Sequence, residues 1–283
     1  MIMKKLMKII MRCFNAIKNF FVPNVYVTVR AINPAKLLEN KAVAITGGSS
    51  GIGFAIAQKA LEQGAKVVIT GTKLEKLEKA KKQLNSYGQV HICQWNIADT
   101  TQCEAKIKEI IQLLDGRLNC WVNNAGIFKP VDFSTCTETD WSSIIDTNLK
   151  GPYFATNEIV KYFVRQHIEG NVVNVSSETG DTASTSPYAF SKIAIDQYTK
   201  GLAYALSKKN IRVNAIAPGG TATEIAGINP NEAMNWKGLG GRLLSPEELA
   251  EVVIFLLSDT SKCINGEVIT CNQGNTLKVE YFR

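Results

Sequence analysis

The sequence predicts a doubly wound α/β protein, a three-layer sandwich in which helices cover both faces of a seven-stranded parallel sheet. Two observations predict this fold class. From residue 41 onward, short apolar segments alternate with amphipathic ones, as strands and helices do in a parallel sheet. A turn rich in glycine and serine follows the first apolar segment, where such sheets bind ligands. With 283 residues, 45% of them hydrophobic, the chain can form one large domain.

The alternation sets the order of the elements. Strands are predicted where apolar residues run without interruption, at 42–46, 66–70, 89–94, 118–123, 171–175, 211–216 and 267–271. Helices are predicted where apolar residues recur every three to four positions, at 52–63, 73–85, 101–114, 138–166, 187–208 and 246–257. The sequence holds no internal repeat and no second Gly-rich turn. We therefore expect a single domain over residues 41–276, followed by a short tail at 277–283.

The first 40 residues differ from the rest. Apolar and basic side chains fall on opposite sides of a helical wheel, which predicts a basic amphipathic helix over residues 1–22. No acidic residue precedes Glu39, so the whole net charge of +7 comes from Lys4, Lys5, Lys8, Arg12, Lys18, Arg30 and Lys36. Residues 23–40 are predicted to connect this helix to the domain. We expect residues 1–21 to lie on an anionic membrane surface, with an organelle transit peptide or a partner-binding helix as alternatives.

Cysteine and histidine usage argues against several classes of function. The seven cysteines are scattered without a Cys-x-x-Cys pair, which is typical of free thiols in a reducing compartment and predicts a cytoplasmic protein. The two histidines, His91 and His167, are far apart, so neither a metal site nor a His-based triad is predicted. No apolar run reaches the about 18 residues of a membrane span. Because the basic charge lies outside the domain, no nucleic-acid partner is expected.

The turn after the first strand predicts a phosphate-binding site. Gly47 lets the chain turn out of the strand, Gly51 lets a pyrophosphate approach the backbone, and Gly53 lets the following helix pack close to the sheet. The N–H groups at the start of that helix then face the anion. The predicted contacts are Gly47, Ser49, Ser50, Gly51, Ile52 and Gly53.

The end of the second strand bears on the choice of dinucleotide. Enzymes that use NAD(H) usually carry an acid there, which binds the ribose 2′-hydroxyl. Here Gly71 replaces that acid, and Thr72 and Lys73 offer a donor and a cation to a 2′-phosphate. The sequence favours NADP(H), with NAD(H) as the alternative. In the other interpretation, Thr72 caps the next helix and Lys73 is a solvated charge.

Polar or small residues also follow the third and fourth strands. Asn96 and Ile97 are predicted beside the adenine, although capping by Asp99 or Thr100 would explain the same residue types. In Asn123-Asn124-Ala125-Gly126 the small residues let the backbone approach the cofactor, while the amides tie neighbouring strands together. Asn124, Ala125 and Gly126 are the predicted contacts.

Tyr188 and Lys192 form the predicted catalytic pair. Their spacing of four places them one turn apart on one helical face. A tyrosine is a poor acid or base at its usual pKa of about 10, and a neighbouring cation favours its phenolate. Ser176 and Ser177 end the fifth strand, so that one of these hydroxyls can hold a substrate oxygen as charge develops on it.

Taken together, these motifs resemble the short-chain dehydrogenase/reductase family over about residues 41–276. The residues that carry the resemblance are Thr46-Gly47-x-x-x-Gly51-x-Gly53, Asn123-Asn124-Ala125-Gly126, Ser177, Tyr188-x-x-x-Lys192 and Pro218-Gly219. The resemblance implies a Rossmann fold and an oxidoreductase that moves a hydride between a nicotinamide and a carbonyl or secondary alcohol.

The resemblance also implies roles for single residues. Tyr188 would be the general acid/base, Lys192 would lower its pKa and bind the nicotinamide ribose, and Ser177 would hold the reacting oxygen. Ser177 is preferred to Ser176 because Ser177-Glu178-Thr179-Gly180 matches the family pattern Ser-x-x-Gly. Asn148 matches the asparagine that anchors a proton-relay water. The residues expected to flank the nicotinamide are Pro218, Gly219 and Thr223.

The expected activity is NADPH-preferring reduction of a ketone, as in the family's 3-oxoacyl-carrier-protein reductases. A sugar, polyol or steroid dehydrogenase and a non-catalytic dinucleotide-binding scaffold or sensor are the alternatives. The family resemblance implies a homodimer or homotetramer built on the helices at 138–166 and 187–208. Two departures are visible: Ser177 and Tyr188 are eleven residues apart, about two fewer than is common, and Cys271-Asn272-Gln273-Gly274 replaces a family pattern rich in Asp and Gly. An apolar lid over the substrate is expected at 224–240.

Overall fold

All seven predicted strands pair in one parallel sheet, in the order β3-β2-β1-β4-β5-β6-β7. A computed structural model describes residues 36–223 and 240–277 of the chain. The strands are β1 (Ala42–Ile45), β2 (Lys66–Gly71), β3 (Val90–Gln94), β4 (Cys120–Asn123), β5 (Asn171–Val175), β6 (Arg212–Pro218) and β7 (Val268–Cys271). The strand order reverses between β1 and β4, so the carboxyl ends of these strands frame the crevice where such sheets bind ligands.

Helices cover both faces of the sheet, as expected for a doubly wound fold. They are α1 (Gly51–Glu62), α2 (Leu74–Leu84), α3 (Cys103–Leu113), α4 (Glu138–Ile145), α5 (Gly151–Arg165), α6 (Pro187–Leu206) and α7 (Pro246–Leu257). Neighbouring residues of one strand point to opposite faces. Val43 therefore packs in the core beneath α1, α2 and α7, and Ala44 packs in the core beneath α3, α5 and α6. The described residues form the predicted three-layer sandwich.

The long helix predicted at 138–166 is two helices joined by a π turn. α4 begins with a capping box in which Thr137 and Asp140 exchange hydrogen bonds, and it runs into the π turn Asp146–Lys150 before α5 starts at Gly151. The π turn widens the helix by one residue per turn and turns Asn148 into the protein, where it is 2% exposed. Helical periodicity predicted the combined span but not this local change.

The end of the predicted connector packs against the domain. Leu38 is fully buried in the core, and its N–H donates to the carbonyl of Gln63 at 3.0 Å. The N–H of Leu37 donates to the Gln63 side chain at 3.1 Å. Residues 36–40 therefore contribute to the core, although the expected domain began at residue 41.

Several sequence-based expectations fall wholly or mostly on residues outside the described ranges. These are the amphipathic helix at 1–22, the connector at 23–40, the lid at 224–240 and the tail at 277–283. Within the described ranges, no helix has the length and apolar character that crossing a bilayer requires.

Candidate active site

A cleft of about 560 Å³ opens at the carboxyl ends of the strands, where the strand order reverses. It is lined by the residues that follow six of the seven strands, as expected for a dinucleotide site in this fold. The predicted site residues that line it are Gly47, Ser49, Ser50, Gly51, Ile52, Thr72, Asn96, Ile97, Asn124, Ala125, Gly126, Ser177, Tyr188, Lys192, Pro218, Gly219 and Thr223. Three other predicted residues, Gly53, Lys73 and Asn148, do not line it.

The turn after β1 is locked to the turn after β4. Gly47 has a φ of +66°, a conformation that favours glycine, and its neighbour across the turn is the backbone of Ala125. The Asn124 amide donates to the carbonyls of Thr46 at 2.8 Å and Gly47 at 3.0 Å. A Cβ on Gly53 would overlap that amide. Gly53 therefore acts behind the cleft wall, by letting α1 approach this turn.

The start of α1 fits an anionic group. Its first intrahelical bond runs from the N–H of Phe54 to the carbonyl of Ser50 at 3.2 Å, so the preceding N–H groups have no partner within the helix. The N-cap Ser50 makes no side-chain capping bond. Because Ser49, Ser50 and Ile52 line the cleft here, free donors and the positive end of the helix dipole face the space that a pyrophosphate needs.

The ends of β2 and β3 hold the residues predicted to contact the adenosine. Lys73 is the N-cap residue of α2 and no side chain makes a capping bond there, so Thr72 does not cap the helix. Thr72 is exposed and lines the cleft, whereas Lys73 is exposed outside the lining. After β3, Asp99 does cap the short helix that follows, because its carboxylate accepts from Thr101 N–H at 3.2 Å. Asn96 is exposed in the cleft.

Asn123 is a structural residue beside the site. Its side chain is buried, accepts from the Trp121 indole N–H at 2.7 Å, and donates to Thr156 at 2.7 Å. It also donates to the Asn174 side chain of the neighbouring strand at 2.7 Å. The Asn174 amide donates in turn to Thr199 on α6 at 2.8 Å. The expected side-chain hydrogen bond between neighbouring strands is present, and it joins Asn123 on β4 to Asn174 on β5.

Ser177, Tyr188 and Lys192 meet at the closed end of the cleft. Tyr188 and Lys192 lie one turn apart on α6, and the Ser177 hydroxyl, which follows β5, lowers the pKa of the Tyr188 phenol against the effect of burial. The Lys192 Nζ lies 5.5 Å from the centroid of the Tyr188 ring and donates to the Val175 carbonyl at 2.9 Å. Ser176, the fallback residue, has its hydroxyl turned to the backbone carbonyl of Lys192 at 3.4 Å. The geometry favours Ser177 over Ser176.

The electrostatics of this pair differ from the expectation that Lys192 lowers the pKa of Tyr188. Burial raises the pKa of Tyr188, and the group that opposes this effect is the Ser177 hydroxyl. Burial lowers the pKa of Lys192 to about 8, against the field of Asp196. The ammonium group of Lys192 lies over the ring face of Tyr188 and bonds to the Val175 carbonyl. In this structure the Ser177 hydroxyl therefore favours the phenolate of Tyr188, and Lys192 holds its charge nearby.

Asn148 acts on the segment that follows β4. Its Oδ1 accepts from the N–H of Ile127 at 2.8 Å, and its Nδ2 donates to the carbonyl of the same residue at 2.9 Å. Because both ends of the amide bind the backbone of one residue, the side chain fixes the position of Ile127, which lines the cleft. The expected role of Asn148 in anchoring a proton-relay water stays a prediction.

Sequence reasoning missed several residues of the cleft wall. Apolar side chains close it on the substrate side, and the Phe128 ring stands edge-on to Tyr188 with centroids 5.2 Å apart. No motif marks these positions, although Ile127 and Phe128 directly follow the recognised Asn-Asn-Ala-Gly segment. The residues missed are Thr70, Trp95, Ile127, Phe128, Thr147, Val175, Glu178, Gly220, Thr221 and Leu243.

Comparison with known proteins identifies the family of the chain. The family model described as short chain dehydrogenase matches residues 41–233. The chain is 35% identical to 3-oxoacyl-[acyl-carrier-protein] reductase FabG of Aquifex aeolicus over 244 residues, which cover 84% of this chain and 98% of that protein. It is 32% identical to a 3alpha-hydroxysteroid dehydrogenase of Mediterraneibacter gnavus over 243 residues, covering 83% and 96% respectively.

Solved structures of two dehydrogenases have the same fold as this chain. The crystal structure of a short chain dehydrogenase from Mycobacterium smegmatis superposes with a TM-score of 0.75 at 29% identity, covering 86% of this chain and 96% of that one. The crystal structure of a dehydrogenase/reductase from Sinorhizobium meliloti 1021 gives a TM-score of 0.77 at 25% identity, covering 86% and 98%. The chain thus matches nearly the whole length of these known proteins. The chain belongs to the short-chain dehydrogenase/reductase family and is an NAD(P)-dependent oxidoreductase acting on CH–OH and C=O groups.

Proposed function

We propose that the protein reduces the keto group of 3-oxoacyl thioesters with NADPH. The observation that carries this proposal is that Ser177, Tyr188 and Lys192 line the same cleft as the phosphate-binding turn, with the Lys192 Nζ 5.5 Å from the Tyr188 ring centroid. The thioester substrate follows the 3-oxoacyl-[acyl-carrier-protein] reductase relative at 35% identity.

The residues divide the work of the reaction. The bound nicotinamide supplies the hydride. Tyr188 delivers its phenolic proton to the substrate oxygen, and its raised pKa keeps that proton in place until the oxygen becomes basic. Ser177 donates a hydrogen bond to the same oxygen as charge develops on it. Lys192 places a positive charge under the pair and binds the ribose that carries the nicotinamide.

The decisive test is Tyr188→Phe. Because the variant cannot donate the proton, we expect kcat for acetoacetyl-coenzyme A reduction to fall about 10²- to 10⁴-fold, with NADPH affinity retained. Tyr198→Phe is the matched control, since Tyr198 lies on the same helix and bonds to Asn157 at 2.8 Å. Wild-type turnover in the Tyr188 variant would exclude the assigned acid.

The same assay separates the alternatives. A panel containing a 3-ketosteroid, a sugar and a polyol distinguishes a steroid, sugar or polyol dehydrogenase by the substrate with the highest kcat/KM. The apolar wall of Ile127, Phe128 and Leu243 suits an acyl chain or a steroid better than a sugar. NADPH binding without turnover of any panel member would identify a dinucleotide-binding scaffold or sensor.

Preference for NADPH is proposed from the end of β2. Gly71 leaves no carboxylate near the exposed Thr72, and a Cβ at Gly71 would meet Leu77 at 3.4 Å, an ordinary contact. Gly71→Asp can therefore be accommodated and should shift the kcat/KM ratio of NADPH to NADH toward NADH by at least about tenfold, the effect of an acid facing the 2′-phosphate. Gly71→Asn is the uncharged control. An unchanged ratio in the Asp variant would place the 2′-phosphate elsewhere.

A homo-oligomer is proposed from exposed aromatic side chains on α4, α5 and α6. Trp141 is 44% exposed, Phe154 47%, Phe190 39% and Tyr204 86%, more apolar surface than one helical face usually leaves in water. Phe154→Asp should lower the mass in solution measured by light scattering. Phe133→Asp is the control, because Phe133 is 83% exposed outside these helices. An unchanged mass in both variants would refute this interface.

Membrane association through residues 1–21 is proposed from charge alone. Each basic residue near an anionic surface contributes about 1 kcal/mol. Changing Lys4, Lys5, Lys8 and Arg12 to Gln should therefore abolish sedimentation with phosphatidylserine vesicles. Equal sedimentation of the two full-length proteins would remove this proposal, and the cytoplasmic location is a separate prediction.

A further inference from the structure

Asp196 is a buried acid that the proposed reaction leaves unexplained. It lies on α6, four residues after Lys192 and eight after Tyr188, so the three side chains share one face of the helix. Asp196 is 9% exposed, and its Oδ1 has no hydrogen-bond partner among the described residues. Burying a carboxylate with an unsatisfied oxygen costs free energy, so a folded protein that keeps one calls for an explanation.

The groups around Asp196 point to Lys192 as its partner. Burial raises the pKa of Asp196, and the Ser176 hydroxyl, Lys192 and Lys200 oppose that effect. Asp181, from the turn after β5, is the acid that faces it. Lys200 and Asp181 are exposed, so water screens their charges. Lys192 is 5% exposed. The strongest charge interaction of Asp196 is therefore with the buried ammonium group.

Close packing holds the carboxylate in this position. Its Oδ2 occupies the space next to Gly180, where a Cβ would overlap it. The Ser176 hydroxyl donates to the Lys192 carbonyl at 3.4 Å and lowers the pKa of Asp196, so the end of β5 acts on both residues of the pair. The missing side chain of Gly180 leaves the space that the carboxylate occupies.

Burial works against a charged Lys192. It lowers the pKa of Lys192 to about 8, and Asp196 is the group that opposes it. The donation from Lys192 to the Val175 carbonyl requires only one N–H, and the remaining N–H groups of a charged ammonium are available to a ribose.

We propose that Asp196 is a positioning residue that keeps Lys192 protonated under the working conditions of the enzyme. It acts through Lys192 and does not touch the reacting atoms. The inference rests on the role of Lys192 under the proposed function.

The test compares Asp196→Asn, which removes the charge and keeps the shape, with Asp181→Asn, which removes an exposed acid from the same surroundings. The free energy of unfolding is measured against pH for each protein with and without Lys192→Met. The difference between each pair reports the protonation of Lys192 alone. We expect its midpoint to move to lower pH by about one unit or more in Asp196→Asn and to stay unchanged in Asp181→Asn. This readout needs no substrate, so it remains informative if the proposed reaction fails.

Turnover gives the second readout. With NADPH and acetoacetyl-coenzyme A, the alkaline limb of the kcat profile should move to lower pH in Asp196→Asn, while Asp196→Glu, which restores the charge, should move it back. KM for the thioester should change little, because the carboxylate lies away from the cleft. A fall in stability with both midpoints at their wild-type values would assign Asp196 a purely structural role and overturn the proposal.

Discussion

The adjacent residues Asn123 and Asn124 should have different effects on the protein when each is changed to alanine. Asn123 points into the protein and connects Trp121, Thr156 and Asn174. The Asn124 side chain points at the phosphate-binding turn and donates hydrogen bonds to the carbonyls of Thr46 and Gly47. We therefore expect Asn123→Ala to lower stability and Asn124→Ala to weaken dinucleotide binding.

The size of the first effect follows from the groups left behind. Trp121 and Asn174 are both fully buried, so without Asn123 an indole N–H and an amide oxygen lose their partners. Each unsatisfied buried group costs about 1–3 kcal/mol, and a combined loss of about 3 kcal/mol is expected. For a chain of this size the loss corresponds to a fall in Tm of about 6–12 °C.

The second effect falls on binding because the turn borders an open cleft. In Asn124→Ala the carbonyl of Gly47 can bond to water in the free protein, so the loss of stability should be about 1 kcal/mol. The loosened turn no longer presents its N–H groups at a fixed position. We expect Kd for NADPH to rise about tenfold, the equivalent of about 1.4 kcal/mol.

Thermal unfolding and fluorescence titration with NADPH measure the two quantities on the same samples. The two variants serve as controls for each other, since each removes an amide from the same four-residue segment. The reasoning fails if Asn123→Ala raises Kd as much as Asn124→Ala does, or if Asn124→Ala shows the larger fall in Tm.

The remaining predictions concern three further positions. Gly53→Ala should raise Kd for NADPH more than tenfold in the same titration, because its Cβ would overlap the Asn124 amide, and an unchanged Kd would contradict the packing of α1 on the turn. Glu178→Gln should lower kcat several-fold and leave NADPH affinity intact, because the Glu178 Oε2 accepts from Asn272 at 3.0 Å and so fixes the segment after Ser177. Steady-state kinetics measure both quantities, and an altered NADPH affinity would contradict this role of Glu178. The free energy of unfolding of the wild-type protein should rise between about pH 8 and 10.5, and Lys192→Met should remove this rise. The reason is that the pKa of Lys192 is lower in the folded protein than in the unfolded chain, so its charge destabilises the fold at neutral pH and this cost disappears as pH rises.

The fold followed from the sequence because its elements depend on local pattern. The strands are short apolar runs buried on both faces, and β5, Asn171–Val175, has every residue buried. The π turn at Asp146–Lys150 could not be predicted, because periodicity over a long helix is insensitive to one added residue. The burial of Leu38 was missed for a related reason: one apolar residue near a proline carries no periodic signal.

The site was predictable where backbone geometry or chemistry restricts the residue type. The turn around Gly47 and the spacing of Tyr188 and Lys192 are such cases. The partners of polar side chains were not predictable, because an amide can bond to water, ligand or backbone. Asn148 bonds to the backbone of Ile127, and the sequence holds no signal for that choice.

The two departures from the family pattern meet at the reacting end of the cleft. The segment between Ser177 and Tyr188 is short, and Glu178 at its start accepts hydrogen bonds from Asn272 at 3.0 Å and Asn275 at 3.1 Å. At its end, the Ser186 hydroxyl accepts from the N–H of Tyr188 at 3.3 Å. A short segment fixed at both ends has few conformations to lose when substrate binds. The amides of Asn272 and Asn275 therefore fix the start of this short segment, next to Ser177.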